Sequence, residues 1–141
     1  MTSNNVYIYG SSGVKEPFSD NAPENFRIDL GTTLELHGEW EIALLDIDLP
    51  SMEKEDQPMF VTLYCNVCSE SIINSVQKPV LYRVFKSDFR QGKALNIATP
   101  RYVPVGMKSI QTIDIYVLDH TGEKPSFKSG GTTCTLHLRK K

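Results

Sequence analysis

The stretch Gln111-Thr112-Ile113-Asp114-Ile115-Tyr116-Val117-Leu118 places a β-branched apolar residue at every second position, at Ile113, Ile115 and Val117. Successive side chains of a β-strand point to opposite faces, so a period of two is typical of a strand with one buried face. Val, Ile, Thr and Tyr are also residue types that strands favour. The stretch therefore predicts a half-buried β-strand.

The same period returns on both sides of this stretch. Phe26-Arg27-Ile28-Asp29-Leu30 alternates between apolar and charged residues, Trp40-Glu41-Ile42 does so before a more apolar continuation, and residues 133–138 do so again. Further strand candidates lie at residues 6–9, 34–36, 59–67, 79–85 and 93–98. The inward side chains of the alternating strands are predicted to form the core: Phe26, Ile28, Leu30, Trp40, Ile42, Leu44, Ile113, Ile115, Val117, Leu136 and Leu138.

Turn-forming residues separate these runs. Nine glycines and eight prolines are spread over 141 residues, a length that suits one domain. About eight short strands with turn signals between them are typical of a sandwich or a barrel. Residues 69–77 are a candidate for a short helix. The sequence predicts an all-β protein, with residues 1–24 as an N-terminal arm or first strand and residues 25–141 as the main domain.

Charge and apolar content argue against some classes of partner. Fifteen Lys and Arg residues against seventeen Asp and Glu residues leave a net charge of −2, which lacks the basic field that nucleic-acid binding relies on. Apolar runs are far shorter than the ~20 residues that span a bilayer, and residues 1–9 lack the regions of a signal peptide. An odd count of three cysteines favours synthesis in a reducing compartment. We expect no membrane and no specific nucleic acid among the partners.

Cys65 and Cys68 form a Cys-x-x-Cys pair, a spacing found in zinc sites and in redox motifs. Zinc needs two further ligands, and a redox pair normally opens a helix, whereas this pair lies in or at the end of a strand candidate. Side chains three residues apart on a strand point to opposite faces, so the two thiols converge only if the chain bends. We interpret Cys65, Cys68 and Cys134 as buried structural thiols that hold no metal.

No residue pattern indicates catalysis. His37, His120 and His137 occur singly, and no serine lies in a nucleophile-elbow pattern. The carboxylates of Glu35 and Glu41 fit the solvent side of the strand alternation. We expect no catalytic, metal or cofactor site, and the protein is predicted not to be an enzyme.

Three ordered blocks of sequence carry a resemblance to a known family. The first is Phe18-Ser19-Asp20-Asn21-Ala22-Pro23-Glu24-Asn25-Phe26, followed by Leu34-Glu35-Leu36-His37-Gly38-Glu39-Trp40-Glu41-Ile42-Ala43-Leu44. The second is Val61-Thr62-Leu63-Tyr64-Cys65-Asn66-Val67, followed by Pro79-Val80-Leu81-Tyr82-Arg83-Val84. The third is Pro100-Arg101-Tyr102-Val103-Pro104-Val105, followed by residues 110–117, 119–122 and 135–140. Together they resemble the penton-type minor capsid proteins of Polinton (Maverick) elements and adintoviruses, over most of the chain.

The resemblance implies a fold, an assembly and a location. The fold is a single jelly roll of two antiparallel sheets with about eight strands. The assembly is a homopentamer at the vertex of a virion capsid, beside a major capsid protein of the double jelly-roll type. Surfaces between subunits then carry the function, and tyrosine serves well at such surfaces. We expect the subunit interface to include Val6, Tyr7, Ile8, Tyr9 and Tyr102.

The chain departs from the family at one place, and other functions stay open. Only residues 50–58 lie between the tryptophan-containing strand and the later tyrosine-cysteine strand, where family members carry a longer insertion. A domesticated capsid gene with a changed role is one alternative. A monomeric or trimeric jelly-roll module that binds a sugar or a receptor is another, and it predicts aromatic side chains clustered on a concave face. A cupin-type enzyme would need a cluster of histidines.

Overall fold

The computed structural model describes residues 4–52, 57–73, 75–88, 94–128 and 130–141, and its regular structure is almost entirely β. Part of the short 50–58 connection, residues 53–56, lies outside this description. The strands are β1 Asn5–Ser11, β2 Asn25–Glu35, β3 Trp40–Asp48, β4 Phe60–Cys65, β5 Ser71–Ile73, β6 Val76–Lys78, β7 Val80–Phe85, β8 Leu95–Asn96, β9 Val103–Pro104, β10 Ser109–Asp119 and β11 Thr133–Lys140. A 3-10 helix at Lys86–Asp88 is the only helical segment among the described residues.

The strands form two antiparallel sheets and a small hairpin. Sheet 1 has the order β1-β11-β3-β8, with β9 also pairing with β3, and sheet 2 has the order β2-β10-β4-β7. The antiparallel pairs are nested along the chain: β4 with β7, β3 with β8 and β9, β2 with β10, and β1 with β11. Successive pairs of this ribbon alternate between the two sheets. The protein is therefore a β-sandwich with the winding of a jelly roll.

The structure has eleven strands where the sequence predicted about eight. Eight strand positions make up the two sheets, but one of them is split into the short strands β8 and β9, which both pair with β3. The other two strands, β5 and β6, form a hairpin in residues 69–77, the segment that the sequence offers as a candidate for a short helix. The helical alternative is wrong because Ile72, Ile73 and Val76 are β-branched, and because Ser75 has a φ of 68°, which a right-handed helix does not accept.

The core lies between the two sheets. The inward side chains of β2, β3, β10 and β11 are buried at Phe26, Ile28, Trp40, Ile42, Leu44, Ile113, Ile115, Val117, Leu136 and Leu138. Leu30 is only half-buried, because the pairing of β2 with β10 shifts register beyond Asp29. Each fully buried Ile or Leu side chain contributes about 1.5–3 kcal/mol to the free energy of unfolding.

The two sheets approach each other closely where β1 packs over β2. A Cβ atom at Gly10 would lie 2.2 Å from Cδ1 and 2.8 Å from Cγ1 of Ile28. Such distances are far below carbon–carbon contact. Glycine at position 10 therefore allows β1 to lie directly against the Ile28 side chain.

The segment expected as an N-terminal arm or first strand contains β1, a strand of sheet 1. β1 pairs with β11 along its whole length, and Ile8 is buried in the core. The following loop is also tied to the sandwich, because Thr132 N–H donates to Ser12 Oγ at 2.8 Å and Thr132 Oγ1 donates to the Pro23 carbonyl at 2.7 Å.

Candidate interaction surfaces

A cluster of aromatic and polar side chains covers part of the outer face of sheet 1. His137 of β11 lies at its centre, and its ring stacks on that of Tyr7 of β1 with centroids 4.4 Å apart and an interplanar angle of 3°. His137 Nδ1 lies 2.7 Å from the Tyr102 hydroxyl, and His137 Nε2 lies 2.9 Å from Asn5 Oδ1. We call these four side chains, with Arg139, the histidine cluster.

Strand alternation and register build the histidine cluster. Leu136 and Leu138 face the core, so His137 between them faces outward. The register of β1 and β11 places Tyr7 directly opposite His137, and directly opposed side chains on one face of a sheet are in contact distance. Tyr102, from the segment before β9, then covers the other side, so that His137 is buried although it faces away from the core.

Burial and charge both keep His137 neutral. Burial lowers the pKa of His137, and the nearby Arg139 guanidinium lowers it further. Arg139 lies over the ring of Tyr102, with Cζ 3.5 Å from the ring centroid, and its Nε lies 3.6 Å from Glu41 Oε1. A neutral imidazole protonated on Nε2 satisfies both hydrogen bonds, because it donates to Asn5 Oδ1 and accepts from the Tyr102 hydroxyl. In this state the cluster fastens β1 to β11 and to the segment before β9.

The predicted interface residues do not share one surface. Tyr7 and Tyr9 are 54% and 74% exposed, while Val6 is half-buried. Tyr102 is half-buried within the histidine cluster. The Ile8 side chain lies in the core and is not part of an exposed surface, because the alternation that exposes Tyr7 and Tyr9 turns Ile8 inward.

Among the described residues, seven of the eight large apolar side chains that are exposed gather at two opposite ends of the sandwich, and the eighth, Met107, lies outside both groups. One group, which we call the tyrosine edge, lies on and after β1: Tyr7, Tyr9 and Val14. The other group lies on and around β7 and the β5-β6 hairpin: Met59, Ile72, Val76 and Phe85. The two groups are far apart because β1 packs over β2, the first strand of sheet 2, whereas β7 is the last strand of sheet 2 and packs against β3.

A cleft of about 590 Å³ opens beside β7, between that strand, the β5-β6 hairpin and residues 99–103. Arg83 and Arg101 line it, and no acidic side chain is among its described lining residues. Arg83 also lies over the ring of Phe60, with Cζ 4.6 Å from the ring centroid. Ile72 and Phe85 supply apolar walls. This arginine cleft therefore combines positive charge with apolar surface at the end of the sandwich opposite to the tyrosine edge.

The three cysteines are buried free thiols. The chain turns directly after β4, where Cys68 N–H donates to the Cys65 carbonyl at 3.1 Å. This turn brings the Cys65 and Cys68 side chains together, although a straight strand would separate them. The contact with Cys65, together with burial, raises the pKa of Cys68, and burial raises the pKa of Cys134 to about 12. Both groups are therefore protonated thiols at neutral pH, unlike the thiolates that bind metals or attack disulfides.

The remaining histidines lie apart from one another. The His37 carbonyl accepts a hydrogen bond from Trp40 Nε1 at 3.0 Å, while His120 is exposed and its Nδ1 accepts from Met59 N–H at 3.3 Å. Within the described ranges, no group of three or more His, Cys, Asp or Glu side chains is placed to hold a metal ion. In the same ranges, no helix has the length and apolar character needed to cross a membrane.

The fold and its surfaces define an all-β sandwich of jelly-roll winding with two apolar ends. Comparison of the chain with protein-family models and with curated proteins gives no match.

Proposed function

We propose that this protein is a structural subunit of a virus-type capsid, a penton-like minor capsid protein that assembles as a homopentamer at the vertex of the shell. The three ordered sequence blocks support this proposal through their resemblance to the Polinton and adintovirus proteins. The jelly-roll winding is the fold that this resemblance implies. Because one fold serves many functions, the proposal depends on the surfaces of the sandwich.

One observation carries the proposal: most of the large exposed apolar side chains lie at two opposite ends of the molecule. A self-complementary patch leads to a two-fold dimer, whereas two different and separated patches lead to head-to-tail contacts, which form a ring when the rotation between neighbours closes and a filament when it does not. The tyrosine edge and the surface around β7 are such a pair, since Tyr9 and Met59 are 74% and 67% exposed at opposite ends. The family resemblance sets the number of subunits in the ring at five.

Burial of the exposed apolar side chains at both ends would lower the free energy of the assembly. A buried aromatic side chain removes about 150–250 Å² from water, and about 25 cal/mol is gained per Å² of apolar area. The net charge of −2 opposes close packing of identical chains only weakly. In the proposed shell, the ring lies beside a major capsid protein of the double jelly-roll type.

Light scattering coupled to size exclusion tests the proposal. At micromolar concentration and several salt concentrations, we expect the mass of five chains of 15.9 kDa each, and five-fold rings in negative-stain images. Met107→Ser, at an exposed site outside the two apolar groups, is a matched control that should leave the mass unchanged. A mass of one or three chains under all conditions contradicts the pentamer and favours the binding module.

A further inference from the structure

The four edges of the two sheets are not equally open to another chain. Exposed edge strands present unpaired N–H and C=O groups that can pair with a strand of another molecule. In sheet 1 the edge opposite β1 consists of β8 and β9, each only two residues long, and β9 contains Pro104, which has no N–H to donate. That edge is a poor template for a further strand.

The β2 edge of sheet 2 is closed by a side chain. Val117 N–H donates to the Glu24 carbonyl. Along an antiparallel pair, residues that bond to the partner strand alternate with residues that do not, so the backbone N–H and carbonyl of Arg27, three residues after Glu24, point away from β10. Asn21 occupies both groups: its Oδ1 accepts from Arg27 N–H at 2.9 Å, and its Nδ2 donates to the Arg27 carbonyl at 3.0 Å. Asn21 itself is buried. The amide of Asn21 therefore stands where a further strand would pair.

The edges at β1 and β7 are open at their centres. Ser12 N–H donates to the Thr132 carbonyl, and every second residue before Ser12 bonds to β11 in the same way. The backbone N–H and carbonyl groups of Tyr7 and Tyr9, at the positions between, therefore point away from β11. Lys86 N–H donates to the Met59 carbonyl, so by the same alternation the backbone groups of Arg83 point away from β4.

These two open edges carry matching surfaces. β1, Asn-Val-Tyr-Ile-Tyr-Gly-Ser, has no charged residue, so it lacks the lysines and other charges that commonly protect an edge. Its exposed rings, Tyr7 and Tyr9, are suited to the arginine cleft beside β7, because guanidinium groups stack on tyrosine faces. Arg101 in that cleft is exposed, and within the described residues it forms no ion pair.

We infer that β1 of one copy adds as a strand to the free edge of β7 in the next copy, with Tyr7 and Tyr9 against Arg83 and Arg101. The inference rests on the proposed function, and it names the surfaces that meet in the ring. Backbone hydrogen bonds supply affinity in such a strand addition, and the side-chain contacts supply specificity. β1 and β7 lie at opposite ends of the stacked sheets, so each copy offers one edge to each of two neighbours.

The first experiment distinguishes the contribution of the β1 backbone hydrogen bonds to ring formation from the contribution of the β1 side chains. Tyr9→Pro removes an N–H that points away from β11, so the β1-β11 ladder keeps its hydrogen bonds, whereas Tyr9→Ala keeps the N–H and removes only the ring. We expect Tyr9→Pro to raise the concentration at which the ring dissociates about tenfold beyond the effect of Tyr9→Ala. Circular dichroism and the melting temperature confirm that each variant is folded.

The second experiment tests the arginine cleft by charge. The ring of the Tyr9→Arg variant should dissociate already at low salt, and at protein concentrations where the ring of the Tyr9→Glu variant stays intact. The reason is that Arg83 and Arg101 repel a cation and attract a carboxylate. The same pair of changes at Met107, Met107→Arg and Met107→Glu, should show no such difference. Arg83→Gln combined with Arg101→Gln should abolish the difference between the two Tyr9 variants.

The outcomes distinguish the inference from the proposed function. A wild-type ring that Tyr9→Pro weakens no more than Tyr9→Ala, and that shows no charge asymmetry at position 9, overturns the strand addition while the capsid proposal stands. A wild-type protein that is monomeric throughout contradicts both. A wild-type ring with the two expected differences supports both.

Discussion

The Tyr102 hydroxyl and His137 Nδ1 lie 2.7 Å apart, and the second ring nitrogen of His137 lies 2.9 Å from Asn5 Oδ1. A single imidazole thus joins β1, β11 and the segment before β9. Both hydrogen bonds suit the neutral ring, and the guanidinium of Arg139, itself near Glu41, faces the same site. The attachment of β1 is therefore sensitive to acid.

The pH dependence of stability follows from the lowered pKa of His137. A group whose pKa is lower in the folded state stabilises the fold fully above its unfolded pKa, and this contribution is lost as the pH falls through the folded value. We expect the urea midpoint of the wild type to fall below about pH 6.5, the ordinary histidine value. His137→Gln should lower stability by about 1 kcal/mol at pH 8, and the difference should shrink at pH 5. His120→Gln, at an exposed site, is the matched control, and parallel profiles for His137→Gln and wild type would contradict the assignment.

Gly10→Ala should destabilise the protein by about 1–3 kcal/mol, because the new methyl group overlaps the Ile28 side chain. Adding Ile28→Val removes the Cδ1 atom that lies nearest, so the double variant should be more stable than the sum of the two single changes predicts. Urea unfolding of all four proteins measures the coupling. Strict additivity would show that the sheets move apart instead.

Asn21→Ala should lower the free energy of unfolding by about 1–3 kcal/mol, since it leaves the Arg27 backbone groups and the Val14 carbonyl without the Asn21 amide. It also opens the β2 edge, so we expect more concentration-dependent aggregation than in wild type. Asn25→Ala, at an exposed neighbouring position, is the control. Chemical unfolding and light scattering check the two effects, and an Asn21 variant as stable and as soluble as the control would contradict both.

Cys65→Ser combined with Cys68→Ser should destabilise the protein modestly, by about 1–3 kcal/mol, because a buried thiol is replaced by a hydroxyl. In the native wild type, both thiols should react with Ellman's reagent only as fast as the protein opens, since burial and mutual contact hold Cys68 in its protonated form. Metal analysis before and after the substitution provides the control. Stoichiometric zinc lost with the two cysteines would contradict the structural role.

The sequence predicted the sandwich and most of its core because these features depend on local alternation. Ile113, Ile115 and Val117 are buried because residues at every second position of β10 share its inward face. Leu30 is less buried than its position in the alternation suggests, since a register shift with β10 is a property of two strands and not of one.

The interaction surfaces were less predictable because they join distant parts of the chain. The alternation of β11 turns His137 outward, but its burial requires Tyr102 and Asn5, which lie 35 and 132 residues away in sequence. Cys65 and Cys68 converge because of one turn that a strand pattern does not reveal. The arginine cleft depends on the β5-β6 hairpin, in a segment that the sequence offers as a candidate for a helix.

The nested pairing of the strands also determines when each part of the fold can form during synthesis. Among the strand pairs of the two sheets, β4 with β7 closes the shortest loop and has the smallest entropic cost, while Asn5 and His137 are 132 residues apart. β1 therefore leaves the ribosome long before its partner β11 exists, as an uncharged strand with both edges unpaired. On a polysome, neighbouring nascent chains present the same strand at high local concentration. Pairing of β1 with another copy therefore competes with pairing of β1 with β11 of its own chain.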